Sequence, residues 1–183
     1  MEGTLLVLQN VLQNLNLANL DLLTVGVTVA AIGLLGFIIY ISNPKSISNV
    51  SFLLFSVVTI LWSFFNYASY RVENPITTLW FLRVVIFLGV WHSFTFFNFL
   101  YVFPLEKKVI PAWYTFILIP YIACVSLFTL TPFVFSSLVS VASQDVAPKA
   151  VVEPGAGIFI LTVLVLIVAS VVFLVRRILK AKK

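Results

Sequence analysis

Along the 183 residues, long uncharged runs alternate with short polar breaks. Five runs, covering about 22–41, 50–70, 76–103, 112–130 and 158–175, approach or exceed the length of about 20 mostly apolar residues that a helix needs to cross a bilayer. The breaks carry helix stop and start signals. Ser42-Asn43-Pro44-Lys45-Ser46 ends the first run, and Ser48 or Asn49 can cap the second. Arg71-Val72-Glu73-Asn74-Pro75 closes the second, while Pro104 and Glu106-Lys107-Lys108 end the third. Pro120 falls inside the fourth, where a membrane helix tolerates a kink. Between 131 and 157 the pattern changes to short β-branched runs, Phe133-Val134-Phe135 and Val151-Val152, around a polar stretch from Ser143 to Lys149. That pattern suits a loop with a small hairpin.

Ahead of the first run, Leu5, Leu8, Leu12 and Leu15 recur at helical spacing with Gln and Asn between them, so residues 1–20 read as an amphipathic helix. The options are lying flat in the headgroup layer, packing on a partner or simply extending the first span; with no basic residue on the polar face, packing against protein is favoured. With Glu2 in place of an early Lys or Arg and amides interrupting its apolar run, this segment is expected to be retained rather than cleaved as a signal. The expected fold class is an all-α integral membrane protein. It comprises five transmembrane helices, the amphipathic helix, a short extracytoplasmic loop at 131–157 and a basic tail at 176–183.

Composition agrees: 62% of positions are hydrophobic, 9% are charged, and the mean hydropathy is +1.15. The net charge of +5 does not point to nucleic acid, because Arg176, Arg177, Lys180, Lys182 and Lys183 directly follow the last apolar run. Such residues anchor a helix end at lipid headgroups. Basic residues also set the expected topology. With the C-terminus cytoplasmic, the inner segments hold Lys45, Lys107, Lys108 and the five tail residues, eight in all, against Arg71 and Lys149 outside. The expected location is a bacterial cytoplasmic membrane, with the N-terminus and the 131–157 loop outside. Partners expected on these grounds are membrane lipids and another protein or further copies of this chain, with no nucleic acid.

Catalytic chemistry lacks its parts, since no phosphate loop, nucleophile elbow, carboxylate pair or metal-ligand cluster is recognisable. No enzyme activity, cofactor or metal is expected. Cys124 is the sole cysteine and cannot form an intramolecular disulfide. The candidates are therefore the polar residues at membrane depth. Arg83 follows Ile76 by seven residues, about a third of the way across by helical rise, where a charge is costly. Its expected partners are Glu73, Tyr70 and Asn66, which would make either a structural clamp or a site for an anionic or polar signal. His92, nine residues on, falls on the opposite helical face and is expected to hydrogen-bond a neighbouring helix, with proton sensing as the sharper alternative. Asn66 and Asn98 suit interhelical hydrogen bonds, and Gly26, Ala30 and Gly33 form a small-residue face for close helix packing.

Taken in order, several motifs resemble the N-terminal seven-helix membrane region of bacterial histidine kinases, over about residues 22–180. They are Asn43-Pro44-Lys45 before a span, Trp62 in the second helix and Trp80-Phe81-Leu82-Arg83 in the third. Phe103-Pro104 follows at that helix's end, then Pro154-Gly155 before the last span and Arg176-Arg177 after it. The resemblance implies a sensory module with its N-terminus outside that passes a signal to cytoplasmic domains. The chain departs from that pattern by having five of the seven helices and no dimerisation helix, phosphoacceptor histidine or ATP-binding domain. His92, at lipid depth, cannot replace the phosphoacceptor. The expected function is a non-catalytic sensory or receptor-like membrane module. The alternative is a structural subunit of a membrane assembly, and a channel or transporter is weaker because few polar residues line any span.

Overall fold

A computed structural model describes residues 17–103, 111–141 and 147–181, without the side chains of 17–22, 177, 180 and 181. The described chain forms α1 (Leu17–Ser42), α2 (Ile47–Ser69), α3 (Pro75–Val102), a π-helical turn (Tyr114–Leu118) running into α4 (Ile119–Thr129), strands β1 (Phe135–Ser140) and β2 (Lys149–Val152), and α5 (Ala156–Ala181). Four helical stretches are long and apolar enough to cross a membrane: Leu23–Ser42, Ile47–Ser69, Pro75–Val102 and Ala156–Arg176. The run expected at 112–130 forms a shorter apolar helix, Tyr114–Thr129.

Pro120 accounts for the irregular start of that shorter helix. Proline has no N–H, and its ring crowds the carbonyl four residues back. The preceding turn widens, so that the Ile119 N–H donates to the Tyr114 carbonyl, five residues away. The expected kink thus takes the form of a π turn. Most of the amphipathic helix expected at 1–20 lies outside the described residues. From Leu17 the helix runs without a break into the first span.

Side chains close the helix ends. Ser46, rather than Ser48 or Asn49, caps α2, its hydroxyl accepting from the Asn49 N–H at 3.3 Å. Asn49 turns back to α1, donating from Nδ2 to the Ile39 and Asn43 carbonyls at 2.8 and 3.2 Å. Carbonyls left open at the end of α1 are thereby satisfied. Asn74 caps α3 by accepting from the N–H groups of Ile76 and Thr77, with Pro75 in the first turn, where its missing N–H costs nothing.

α3 is the hub of the packing. On one side α2 lies antiparallel to it through the ring pairs Phe65–Phe81, Trp62–His92, Phe55–Phe96 and Phe52–Phe99. On the other side Val90, Phe94, Phe97 and Tyr101 meet Tyr114, Ile122, Val125 and Leu166 in a buried core. The segment from Trp113 through α4 runs antiparallel to α3, since Trp113 and Tyr114 touch Tyr101 at its start and β1 reaches Arg83 at its end. α5 runs parallel to α3, with Phe159 beside Gly89 and Phe173 against Phe97 and Tyr101. The two strands pair antiparallel, with Phe135 opposite Val152 and an irregular register beyond, so the hairpin suggested by the sequence is present.

Of the expected small-residue face of α1, Gly33 meets α2, while Gly26 and Ala30 stay open. A Cβ on Gly33 would sit 3.1 Å from Ile60 Cδ1, and one on Gly36 would lie 2.6 Å from Ser56 Oγ. Nothing lies within 4 Å of the corresponding position on Gly26, and Ala30 is exposed. Gly33 and Gly36, not Gly26 and Ala30, therefore set the α1–α2 contact. Overpacking this seam with Gly36→Leu should destabilise the fold by about 1–3 kcal/mol, whereas Gly26→Leu should not. Thermal unfolding of both variants in detergent checks this, and equal midpoints would refute the assigned face.

Candidate functional site

Arg83 is the buried charge among the described residues, with 7% of its surface exposed. Its Nη2 donates to the Phe135 carbonyl at 2.7 Å, joining α3 to the first residue of β1 across 52 positions of sequence. Trp80, one turn earlier on the same face, lies beneath the guanidinium at 5.2 Å from the ring centroid. Nε is buried with no hydrogen-bond partner.

The carboxylate, phenol and amide expected around Arg83 do not assemble there. Glu73 and Tyr70 are exposed near the α2–α3 turn, and Asn66 lies half-buried on α2. Arg71 is the cation that finds a phenol, donating from Nε to Tyr67 Oη at 3.1 Å. α3 is also longer than a span requires. At about 1.5 Å per residue its 28 residues reach about 42 Å, well beyond a hydrocarbon core of about 30 Å. Phe159, in the first turn of α5, is level with Gly89, so the opening turns of α3 stand beyond the start of α5. Arg83 thus lies level with the hairpin, beyond the start of α5.

The other candidates separate from Arg83. His92 faces α2, where its ring lies against Phe55 at 4.9 Å and stacks on Trp62 at 5.8 Å. Ring contacts, rather than the expected hydrogen bond, hold it among the described residues. Asn98 does act between helices: its Nδ2 donates to Ser51 Oγ on α2 at 3.3 Å, and its Oδ1 accepts from Tyr114 Oη at 3.0 Å. Asn66 makes no comparable side-chain bond among the described residues. Of the basic tail, Arg176 is exposed; the side chains of Arg177, Lys180, Lys182 and Lys183 lie outside the described residues, as do Lys107 and Lys108.

Beside the hairpin lies a groove of about 530 Å³, walled by Phe128, Pro132, Phe133, Pro154 and Ile158, with Ser136 and Glu153 as its polar groups. Gly155 forms its base, where a Cβ would strike the Phe133 carbonyl and the Phe128 ring. The Gly155 N–H donates to that carbonyl at 3.1 Å. Sequence reasoning marked Arg83 and Asn98 but not their partners. The Tyr114 and Ser51 hydroxyls, one helix turn or more from any charge, carry no distinguishing pattern, and a backbone carbonyl such as that of Phe135 carries none at all.

Comparison of the chain with family models, curated proteins and solved structures finds no match.

The Asn98–Tyr114 bond can be measured directly. Asn98→Ala and Tyr114→Phe should each cost about 1 kcal/mol, and a double-mutant cycle in detergent should return a coupling of about 0.5–1 kcal/mol. A coupling of zero would show that the two side chains do not interact.

Proposed function

We propose that this chain is a non-catalytic sensory or receptor-like membrane module, related to the sensor regions of histidine kinases and passing an external or membrane signal to a partner. In this reading all five helices span the bilayer, including the shorter one, with the N-terminus and the hairpin outside and the basic tail in the cytoplasm. The observation that carries it is the Arg83–Phe135 bond. One buried charge ties the extramembrane hairpin to α3, and α3 in turn packs on α2, α4 and α5. An event at the hairpin that made or broke this bond would bias two arrangements of the helices, which is what signalling without chemistry requires.

The rival reading is a structural subunit of a membrane assembly. Its support is α1, of whose most apolar window 6% is buried and whose Gly26 side meets nothing. The native mass of the purified particle in mild detergent separates the two: many co-migrating copies favour the assembly, and a monomer counts against it.

Sensing is tested by distance measurement between spin labels at Thr77, near the start of α3, and Ser137, on β1, with Cys124 replaced by serine. Two distance populations are expected, with Arg83→Leu shifting their balance. One narrow population, unchanged by Arg83→Leu, would sink the proposal.

A further inference from the structure

We propose that Arg83 is a binding site for the oxyanion of a phosphate group, taken up on the Nε/Nη2 edge of its guanidinium in place of the Phe135 carbonyl. This rests on the burial and bonding of Arg83, and it holds whether or not the bundle signals.

Arginine remains charged in any protein environment, so burial cannot be relieved by losing the proton. A buried charge needs an opposite charge or a full set of hydrogen bonds, and Arg83 has neither. Its acceptor is one neutral carbonyl, its other neighbour is the face of Trp80, and Nε is shut in without a partner. Among the described residues no carboxylate pairs with it; Glu73 is exposed at the α2–α3 turn, and Glu153 borders the groove on the hairpin. The Nε/Nη2 edge presents two roughly parallel N–H donors, a geometry that matches two oxygens of a phosphate and that a single carbonyl fills only by half.

The surroundings favour a ligand that is apolar behind its phosphate. Ile76, Trp80, Phe133 and Val139 are 71%, 49%, 68% and 66% exposed on this end of the molecule. Arg83 is level with the hairpin, beyond the start of α5, which in the proposed topology is the level of the phospholipid headgroups. A lipid headgroup and free phosphate offer the same oxyanion, and an exchange of carbonyl for phosphate turns a neutral acceptor into a charge-assisted pair. It also releases β1 from α3.

The test uses the full chain in detergent, titrated with phosphatidylglycerol, with diacylglycerol lacking the phosphate, or with inorganic phosphate, and read by native mass spectrometry. Wild type should retain one phosphatidylglycerol per chain in preference to diacylglycerol, with Arg83→Gln about tenfold weaker and Arg83→Lys, which keeps the charge without the fork, intermediate. Displacement of the lipid by inorganic phosphate at millimolar concentration would make the site one for free phosphate as well; no displacement makes it a headgroup site. Amide exchange over 135–140 should rise on binding in wild type and rise less in Arg83→Lys. If Arg83→Gln does not fold, Arg83→Lys carries the comparison. Equal binding by wild type and Arg83→Lys, equal retention of diacylglycerol and phosphatidylglycerol, or binding with unchanged exchange in β1 would each overturn the proposal.

Discussion

The structure depends on one constraint: in an apolar surrounding, each polar group must find its partner inside the protein. Many of the serines and threonines meet it within their own helices, although the Ser48 hydroxyl and the Trp91 indole N–H are buried without a hydrogen-bond partner among the described residues. Ser56, Thr59, Ser93, Ser126, Thr162 and Ser170 donate to the carbonyls of Phe52, Phe55, Gly89, Ile122, Ile158 and Leu166, each four residues back. A hydroxyl satisfied in this way makes its side chain small and chemically quiet, so it can be buried at a seam between helices. Alongside its apolar core the bundle therefore buries small hydroxyl side chains and leaves large apolar ones outside. Ser56, Ser126 and Ser170 are fully enclosed or nearly so, while Leu34, Phe37, Phe116 and Leu161 face outward. The contact between α1 and α2 follows from this, since Ser56 needs a neighbour without a Cβ and Gly36 supplies it.

Where partners lie close in sequence, they were legible in it. Most helix boundaries fall within a few residues of a proline, asparagine or serine whose local chemistry stops or caps a helix, and the hairpin showed itself in its β-branched runs. The fourth helix lies within a few residues of its expected ends; what the pattern of apolar residues does not register is that Pro120 converts a turn to π geometry. Gly26, Ala30 and Gly33 share a stripe, but so do Gly33 and Gly36, and the position of Ser56 on another helix decides which pair meets α2. Arg83 stood out by its cost in an apolar run. Its acceptor could not, because a backbone carbonyl has no signature and Phe135 is 52 residues away.

Arg83 is the residue to which the serine solution is closed. A guanidinium has donors on all sides and no acceptor, so it cannot be silenced by its own helix as a hydroxyl can. It needs carbonyls or anions from elsewhere, and the carbonyls of a neighbouring helix already accept from that helix's own N–H groups and, at several positions, from its hydroxyls as well. A two-stranded ribbon differs. Each strand has one edge without a strand partner, and carbonyls on that edge remain available to other groups. Glu153 and Gly155 donate to the carbonyls of Val134 and Phe133 where the hairpin closes, whereas the next carbonyl, that of Phe135, goes to Arg83. The short β element between α4 and α5 therefore supplies an open acceptor to a charge at the margin of the bundle. That one acceptor matches one of several donors, which is why the charge holds the hairpin in place yet remains open to a stronger partner.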